Sequence, residues 1–309
     1  MNATECFKID VSIQKDYFCF DEHQSILRIG CGSKYNPGNP IIIEADPFLF
    51  VHNNRLFLFY EDKRYLTPGV ISMCYTDDLE HWSEPKVVLQ EPYHLSYPYV
   101  FEDGGCVYMV PETSADHSIR LYKAQNGDLT QFSFESYLIQ RKDGFDGLDI
   151  DYSDSSVYKK DEFYYLMTTC KRCDGNELLL YYSKDLKGPY LQHPSSPIVI
   201  SQKIGRNAGA FIEKGHQLFR VAQDCVLRYG DNVHLMEIIE LTPASYKEHL
   251  VKESLLPLDN PFYKHGGHQY SVAHFKGKIV VATDAKEYKV FFLSRLVRKI
   301  LRLFHLSKY

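Results

Sequence analysis

Carboxylates close both ends of one short segment of this 309-residue chain, Asp46 at its start and Glu61 at its end. Glu112, Asp154 and Asp284 hold one or other of the same two positions in segments of similar pattern. Near them in sequence stand His94, Ser96 and Tyr97, then Arg206 and Asn207, Gln223 and Asp224, and His268. Carboxylates gathered at one opening can pass protons as acid and base. An arginine beside them can neutralise a phosphate or carboxylate. His268 fits a hydroxyl donor and a plain structural histidine equally well, because a single histidine is a weak motif.

The elements that must bring these residues together are five hairpins. Segments 46–61 (DPFLFVHNNRLFLFYE), 97–112 (YPYVFEDGGCVYMVPE), 154–169 (DSSVYKKDEFYYLMTT), 208–223 (AGAFIEKGHQLFRVAQ) and 269–284 (QYSVAHFKGKIVVATD) align without a gap. Each reads as a β-rich run, a polar turn stretch and a second β-rich run. The copies start 51 to 61 residues apart, and further strand-like runs follow most of them: 69–75 with 86–89, 119–123 with 132–139, 177–182 with 198–200, and 233–240. The fifth copy runs almost into the C-terminal segment, so 7–13 and 25–29 are expected to supply its outer strands.

Four strands per repeat, five times over, is the sequence form of a propeller. The expected fold is therefore all-β: one five-bladed β-propeller over 1–289, followed by a C-terminal amphipathic helix over 290–309. The first and last residues of an antiparallel hairpin lie side by side. Asp46, Tyr97, Asp154, Ala208 and Gln269 are thus expected to meet Glu61, Glu112, Thr169, Gln223 and Asp284 around one mouth. Polar groups ringing an apolar wall suit a binding site. Strand ends that simply meet solvent explain Thr169 and Asp284 well. They explain an acid at each end of the first hairpin less well.

Composition narrows the functions. The net charge is −5 with no basic block before the C-terminus, which argues against nucleic acid as a partner. The first residues lack a basic start and apolar run, and no stretch of about 18 apolar residues occurs, so the chain reads as cytoplasmic and not membrane-spanning. Eight scattered cysteines read as reduced thiols, and the single Cys170/Cys173 pair lacks the second ligand pair of a structural zinc site. No glycine-rich nucleotide fingerprint or clear calcium loop is present, so no cofactor or metal is expected. The 24 Tyr and 19 Phe favour strands, with stacking on sugar faces as the functional alternative.

In the tail, Phe292, Leu293, Leu296, Val297, Ile300, Leu303 and Phe304 follow helical spacing, with Arg295, Arg298, Lys299, Arg302 and Lys308 between them. A basic amphipathic helix of this kind suits an anionic membrane face. Packing on the propeller or in a dimer contact is the alternative.

Five-bladed propellers opened by an aspartate resemble the family 43 and family 32 glycoside hydrolases. That resemblance implies Asp46-Pro47 as the base and Asp154 as the residue that tunes pKa. The acid expected in the fourth blade is missing, because Arg206-Asn207-Ala208-Gly209 stands there. Glu112 is the candidate to replace it, reaching the same rim from the second blade.

A closer resemblance covers nearly the whole chain. The strings HLSYPYVF (94–101), PETS (111–114), SIRLYKA (118–124), GPY (188–190) and AQDC (222–225) are similar to the N-terminal propeller domain of plant glucosamine inositolphosphorylceramide transferase and its bacterial relatives. The resemblance implies a carbohydrate substrate, lipid-linked in the favoured reading. It implies a glycosyltransferase-like role in cell-surface glycan assembly, and the basic tail at 290–309 adds the expectation of a peripheral place on the inner membrane face. Asp46, Glu112 and Asp154 would be catalytic. Glu61, His94, Tyr97, Arg206, Asn207, Gln223, Asp224 and His268 would bind substrate. An intracellular glycoside hydrolase and a non-catalytic glycan-binding propeller are the alternatives.

Overall fold

The computed structural model describes residues 3–20, 23–30, 36–140, 151–172 and 175–303. The chain is mostly β. Its strands are β1 (Thr4–Gln14), β2 (Gln24–Gly30), β3 (Ile41–His52), β4 (Arg55–Arg64), β5 (Val70–Thr76), β6 (Lys86–Leu89), β7 (Ser96–Asp103), β8 (Cys106–Glu112), β9 (Ser118–Ala124) and β10 (Phe132–Gln140). There follow β11 (Tyr152–Lys160), β12 (Phe163–Arg172), β13 (Gly175–Ser183), β14 (Leu191–Gln192), β15 (Val199–Ile200), β16 (Arg206–Asn207), β17 (Ile212–Lys214), β18 (Gln217–Asp224), β19 (Asn232–Leu241), β20 (Tyr246–Lys252), β21 (Tyr270–Phe275) and β22 (Lys278–Lys289). One helix, α1 (Phe292–Leu303), ends the described chain.

Antiparallel pairing groups these strands into sets that follow the sequence repeats: β3–β6, β7–β10, β11–β15 and β16–β20. The last set is β21, β22, β1 and β2, so the N-terminal strands complete it: Ile9 lies opposite Asp284, and Ile9 also pairs with Ile29. One parallel bridge, Phe7 to Ile43, joins this set to β3. The opening strands also touch in sequence order, β21 with β3, β3 with β7, β7 with β11 and β11 with β16. The Tyr270 N–H donates to the Ala208 carbonyl at 2.8 Å and links the fourth set back to the fifth.

Turn chemistry fixes the hairpins. Asn53-Asn54, Gly104-Gly105, Asp161-Glu162, Gly215-His216 and Lys276-Gly277 are each two-residue turns, flanked by pairs such as His52 with Arg55 and Asp103 with Cys106. Both turn residues have positive φ in the first, second and fifth hairpins, the condition that matches a tight turn to strand twist. The turns are thus shorter than the polar stretches in the sequence suggest.

Packing explains the aromatic content. Phe57 and Phe59 of β4 face a core shared with Phe48, Tyr97, Tyr99, Met109 and Leu121, while Leu56, Leu58 and Tyr60 face another with Ile9, Val11 and Ala282. Both faces of the strand are dry, so apolar residues run continuously instead of alternating with polar ones. Gly209 sits where the fourth set meets the fifth. A Cβ there would lie 2.2 Å from the Tyr270 carbonyl oxygen, so only glycine lets the backbones approach this closely.

Helix α1 docks through its polar side. Ser294 is buried and donates to the Pro37 carbonyl at 2.9 Å, Arg295 reaches Thr4 Oγ1 at 3.4 Å, and Arg298 lies over the Tyr65 ring. Phe292, Leu293, Leu296, Ile300 and Leu303 point outward and are exposed. Phe304 and Lys308 lie outside the described residues, as does Cys173 of the Cys170/Cys173 pair.

Candidate active site

Three hairpins open on the same irregularity. Between Ala45 and Phe48, Ser96 and Tyr99, and Ser153 and Ser156, the first strand holds two residues against one on its partner. The first of these two is Asp46, Tyr97 or Asp154, with φ of 51°, 45° and 53° respectively. Such bulges bend the strand and re-aim a side chain. Aspartate tolerates this backbone region, whereas a tyrosine there costs about 1–3 kcal/mol unless its surroundings hold it. The bulges also shift the expected pairing. Glu61 lies opposite Ala45, Glu112 opposite Ser96 and Thr169 opposite Ser153, and in the fourth set Gln223 lies opposite Arg206.

Hydrogen bonds lock these opening residues to one another across sets. Asp284 Oδ2 accepts the Asp46 N–H at 3.2 Å, and Asp46 Oδ2 accepts the Tyr97 N–H at 3.0 Å. The Tyr97 hydroxyl donates to the Gly209 carbonyl at 2.7 Å and accepts the Gly209 N–H at 3.1 Å. Asn207 Nδ2 donates to the Asp154 carbonyl at 2.8 Å, and the Asn207 N–H donates to Thr169 Oγ1 at 3.1 Å.

The ionised groups form one cluster. Arg206 Nε lies 2.5 Å from Asp154 Oδ2, and its Nη2 lies 3.9 Å from Glu112 Oε2. Its guanidinium also sits 5.1 Å from the Tyr229 ring. His268 Nδ1 lies 2.5 Å from Asp284 Oδ2, and its Nε2 lies 3.7 Å from Asp46 Oδ1. Phe7 stacks on one face of this imidazole, and Tyr229 meets it edge-on.

Burial dominates the acidities. Burial raises the Asp46 carboxyl to about 6, with His268 opposing the rise and Asp284 and Glu112 adding to it. Burial and then Asp154 raise Glu112 to about 7, with Arg206 opposing. Glu61 is pushed well above the carboxylate range by burial and Asp46. Asp154 is also raised by burial, against the pull of Arg206. His268 moves upward, because Asp284 and Asp46 outweigh the burial that would lower it. Near neutrality this leaves Glu112 able to give a proton and Asp46 able to take one.

The other expected binding residues divide. Asn207 is buried and serves the backbone. Tyr97 is buried as well, with its hydroxyl committed to Gly209 and Ser156. Gln223 is buried and accepts from Cys225 Sγ. Asp224 turns to His234 Nε2 at 3.0 Å and to the Val226 N–H at 2.9 Å. His94 accepts the Gly69 N–H on Nδ1 at 2.9 Å and presents Nε2 to Glu61 Oε1 at 3.4 Å. Thr169 and Asp284 are fully buried, which corrects their reading as solvent-facing strand ends.

Two contributors lie outside the expected set. Asp284 accepts the His268 N–H at 2.7 Å and the Gln269 N–H at 3.1 Å besides the contacts above, so it orients the histidine. Tyr229 belongs to a loop between β18 and β19 that no repeat position marks. Ligand atoms of Asp46, His268 and Asp284 lie within 4.8 Å of one another, a spacing that could hold a cation. The Asp284 carboxylate already accepts three main-chain N–H groups and pairs with the His268 imidazole, while His268 and Asp46 stand 3.7 Å apart.

The family described as glucosamine inositolphosphorylceramide transferase 1, N-terminal, matches residues 26–271. The chain belongs to this family. It is 35% identical over 227 residues to glucosamine inositolphosphorylceramide transferase 1 of Oryza sativa subsp. japonica, covering 71% of this chain and 29% of that protein. The Arabidopsis thaliana protein of the same name is 32% identical over 236 residues, covering 74% and 29%. The chain thus spans less than a third of the length of these relatives.

Among solved structures it is similar to a family 117 glycoside hydrolase of Zobellia galactanivorans, with TM-score 0.58, 13% identity, and coverage of 82% of this chain and 88% of that one. It is also similar to the α-L-arabinofuranosidase CtGH43 of Clostridium thermocellum, with TM-score 0.55, 15% identity, and coverage of 77% and 80%. The strand framework is therefore that of the propeller-type glycosidases.

The raised pKa of Glu112 sets a pH signature. Folded, it keeps its proton up to about pH 7, against an ordinary value of 4.5. The folded chain then binds more protons than the unfolded chain between those values, so stability falls as pH rises through that window. Glu112→Gln removes this contribution. Its melting temperature should fall less from pH 4.5 to pH 7 than that of the parent, and equal slopes in thermal unfolding would contradict the assignment.

Proposed function

We propose that the strand sets are the blades of a five-bladed propeller spanning 1–289, and that its mouth acts on a glycosidic bond during glycan assembly. The observation that carries this reading is the buried pair Asp46 and Glu112, raised to about 6 and about 7 in one charge-coupled cluster. Glu112 protonates the departing oxygen, and Asp46 takes the proton of the incoming hydroxyl. Asp154 and Arg206 hold the field around Glu112. His268, fixed by Asp284, faces Asp46 and donates to a substrate hydroxyl. The names of the relatives support transfer to a lipid-linked acceptor, and the likeness to glycosidases supports chemistry at the anomeric carbon.

A second reading, glycan binding without turnover, is favoured by one feature. The fourth set opens on buried Ala208, where the glycosidase pattern calls for an acid. Asp46→Asn and Glu112→Gln separate the two readings. With labelled glycan donor and acceptor, each variant should lose at least about a hundredfold in turnover while still binding glycan. Full turnover in both would remove the catalytic roles. Binding without turnover in the parent chain would establish the second reading.

The proposal places the chain at the cytoplasmic membrane face. Support comes from α1, whose exposed Phe292, Leu293, Leu296, Ile300 and Leu303 are flanked by Arg295, Lys299 and Arg302. No described helix is long and apolar enough to cross a membrane. The double variant Leu296→Glu, Ile300→Glu should abolish co-sedimentation with phosphatidylserine vesicles and leave the melting temperature unchanged. Undiminished vesicle binding would exclude the helix as the contact.

A further inference from the structure

Lys286 lies on β22, two residues beyond Asp284 and opposite Phe7, and is only 1% exposed. Its Nζ donates to the Tyr229 main-chain carbonyl, and no carboxylate stands within ion-pair distance of it among the described residues. Burial lowers its pKa, with Glu5 opposing the fall and Arg228 adding to it. An ammonium taken out of water and given a neutral partner is costly, and an apolar side chain of similar length would fill the space at less cost. The hold on Tyr229 is what the lysine supplies in return.

Tyr229 sits in the loop 225–231, whose Val226 and Leu227 are exposed, so no apolar core anchors it there. Polar ties set its course instead. The Cys225 N–H donates to the Gln202 carbonyl at 2.8 Å, and the Asp231 N–H donates to the Asp224 carbonyl at 2.9 Å, which fixes both ends. Gly230, with φ of 61°, passes so near His268 that a Cβ would lie 2.9 Å from the histidine Cβ. Between these points Lys286 holds Tyr229 itself. The ring so placed has the Arg206 guanidinium 5.1 Å from its centre and meets His268 edge-on at 5.2 Å. Among the described residues no other ring contacts both. Burial, against Arg206, raises the Tyr229 hydroxyl well above the ordinary tyrosine value, and Asp154, Asp46 and Glu112 add to the rise. The hydroxyl end thus reaches towards the acids, while the residue as a whole stays 42% exposed.

We propose that Lys286 is a positioning residue: it holds the Tyr229 carbonyl so that the Tyr229 ring forms an aromatic wall of the mouth, against which a sugar ring rests. The inference rests on the glycan-handling reading above and deepens it. The face of an aromatic ring is electron-rich and meets the C–H face of a pyranose favourably, which leaves the sugar hydroxyls to hydrogen-bond with the polar groups around it. Arg206 and His268 fix the ring from the mouth side, and Lys286 fixes its main chain from behind. Without that last hold the loop is free to carry the ring off Arg206. Sugar binding then weakens while the acids stay in place.

Binding of fluorescently labelled mono- to tetrasaccharides to the full chain tests the assignment, together with turnover of labelled donor and acceptor. The parent should bind, and Tyr229→Ala and Lys286→Met should each weaken that binding about tenfold. Tyr229→Phe, which keeps the ring, should stay within about twofold of the parent. In turnover, Tyr229→Ala and Lys286→Met should raise KM and leave kcat nearly unchanged, the mark of lost uniform binding. The melting temperature of Lys286→Met should hold or rise, because a buried ammonium is gone. Weaker binding with a lower melting temperature in Lys286→Met would make the lysine merely structural and overturn the proposal. Undiminished binding by Tyr229→Ala or Lys286→Met, or no binding by the parent, overturns it as well. If Glu112→Gln loses turnover while both variants keep the parental KM, the catalytic reading survives and only the positioning role is lost. If KM rises in both but Glu112→Gln retains full turnover, the positioning role stands without the catalytic one.

Discussion

The Asp46 main-chain N–H is held by Asp284, and the Asp46 carboxylate in turn holds the N–H of Tyr97. This two-step relay ties three strand sets together at their opening residues, all within the buried centre. The Tyr97 hydroxyl carries the tie across to Gly209 of the fourth set. Because two of the holding groups are carboxylates, the framework cannot close without bringing acids into a low-dielectric space. The strained backbone at Tyr97 persists because these bonds over-determine it.

Electrostatics follow from that placement. Asp46, Glu61, Glu112, Asp154 and Asp284 converge, and among the described residues Arg206, His268 and, at Glu61, Lys63 oppose their charge. Arg206 goes to Asp154, and His268 goes to Asp284. Burial raises Glu61, Glu112, Asp46 and, against Arg206, Asp154 towards their neutral forms. Burial thus leaves Asp46 and Glu112 raised towards neutrality within one cluster, the condition that the proposed proton-transfer pair needs. Burying such a cluster costs stability, and carboxyls perturbed in this way mark a candidate functional site.

Much of the fold was legible in the sequence. The hairpins fall where the gapless alignment puts them, and the N-terminal strands complete the last set as their absence after segment 269–284 implied. The bulges were not read, because a gapless alignment cannot show that one strand has gained a residue over its partner. Pro47 and Pro98, each one place after the opening residue, were the available signal, since proline inside a paired strand is confined to edges and bulges. The burial of Asp284 has no sequence signal, because position alone does not report depth. The chain through Gly266 and Gly267 passes so close that a Cβ on Gly267 would lie 2.1 Å from the Asp284 carbonyl. The periodicity of α1 was clear, but not which side docks. That depends on small, buried Ser294 meeting Pro37, a contact with no sequence signature.

Proton transfer at the mouth needs two carboxyls that titrate far above their ordinary range. Carbon-13 NMR titration of side-chain carboxyls, with assignments from Asp46→Asn and Glu112→Gln, measures this directly. The expected result is midpoints near 6 for Asp46 and near 7 for Glu112. Midpoints for both at or below about 4.5 would mean that the two groups are solvated and not joined in a buried proton-transfer site.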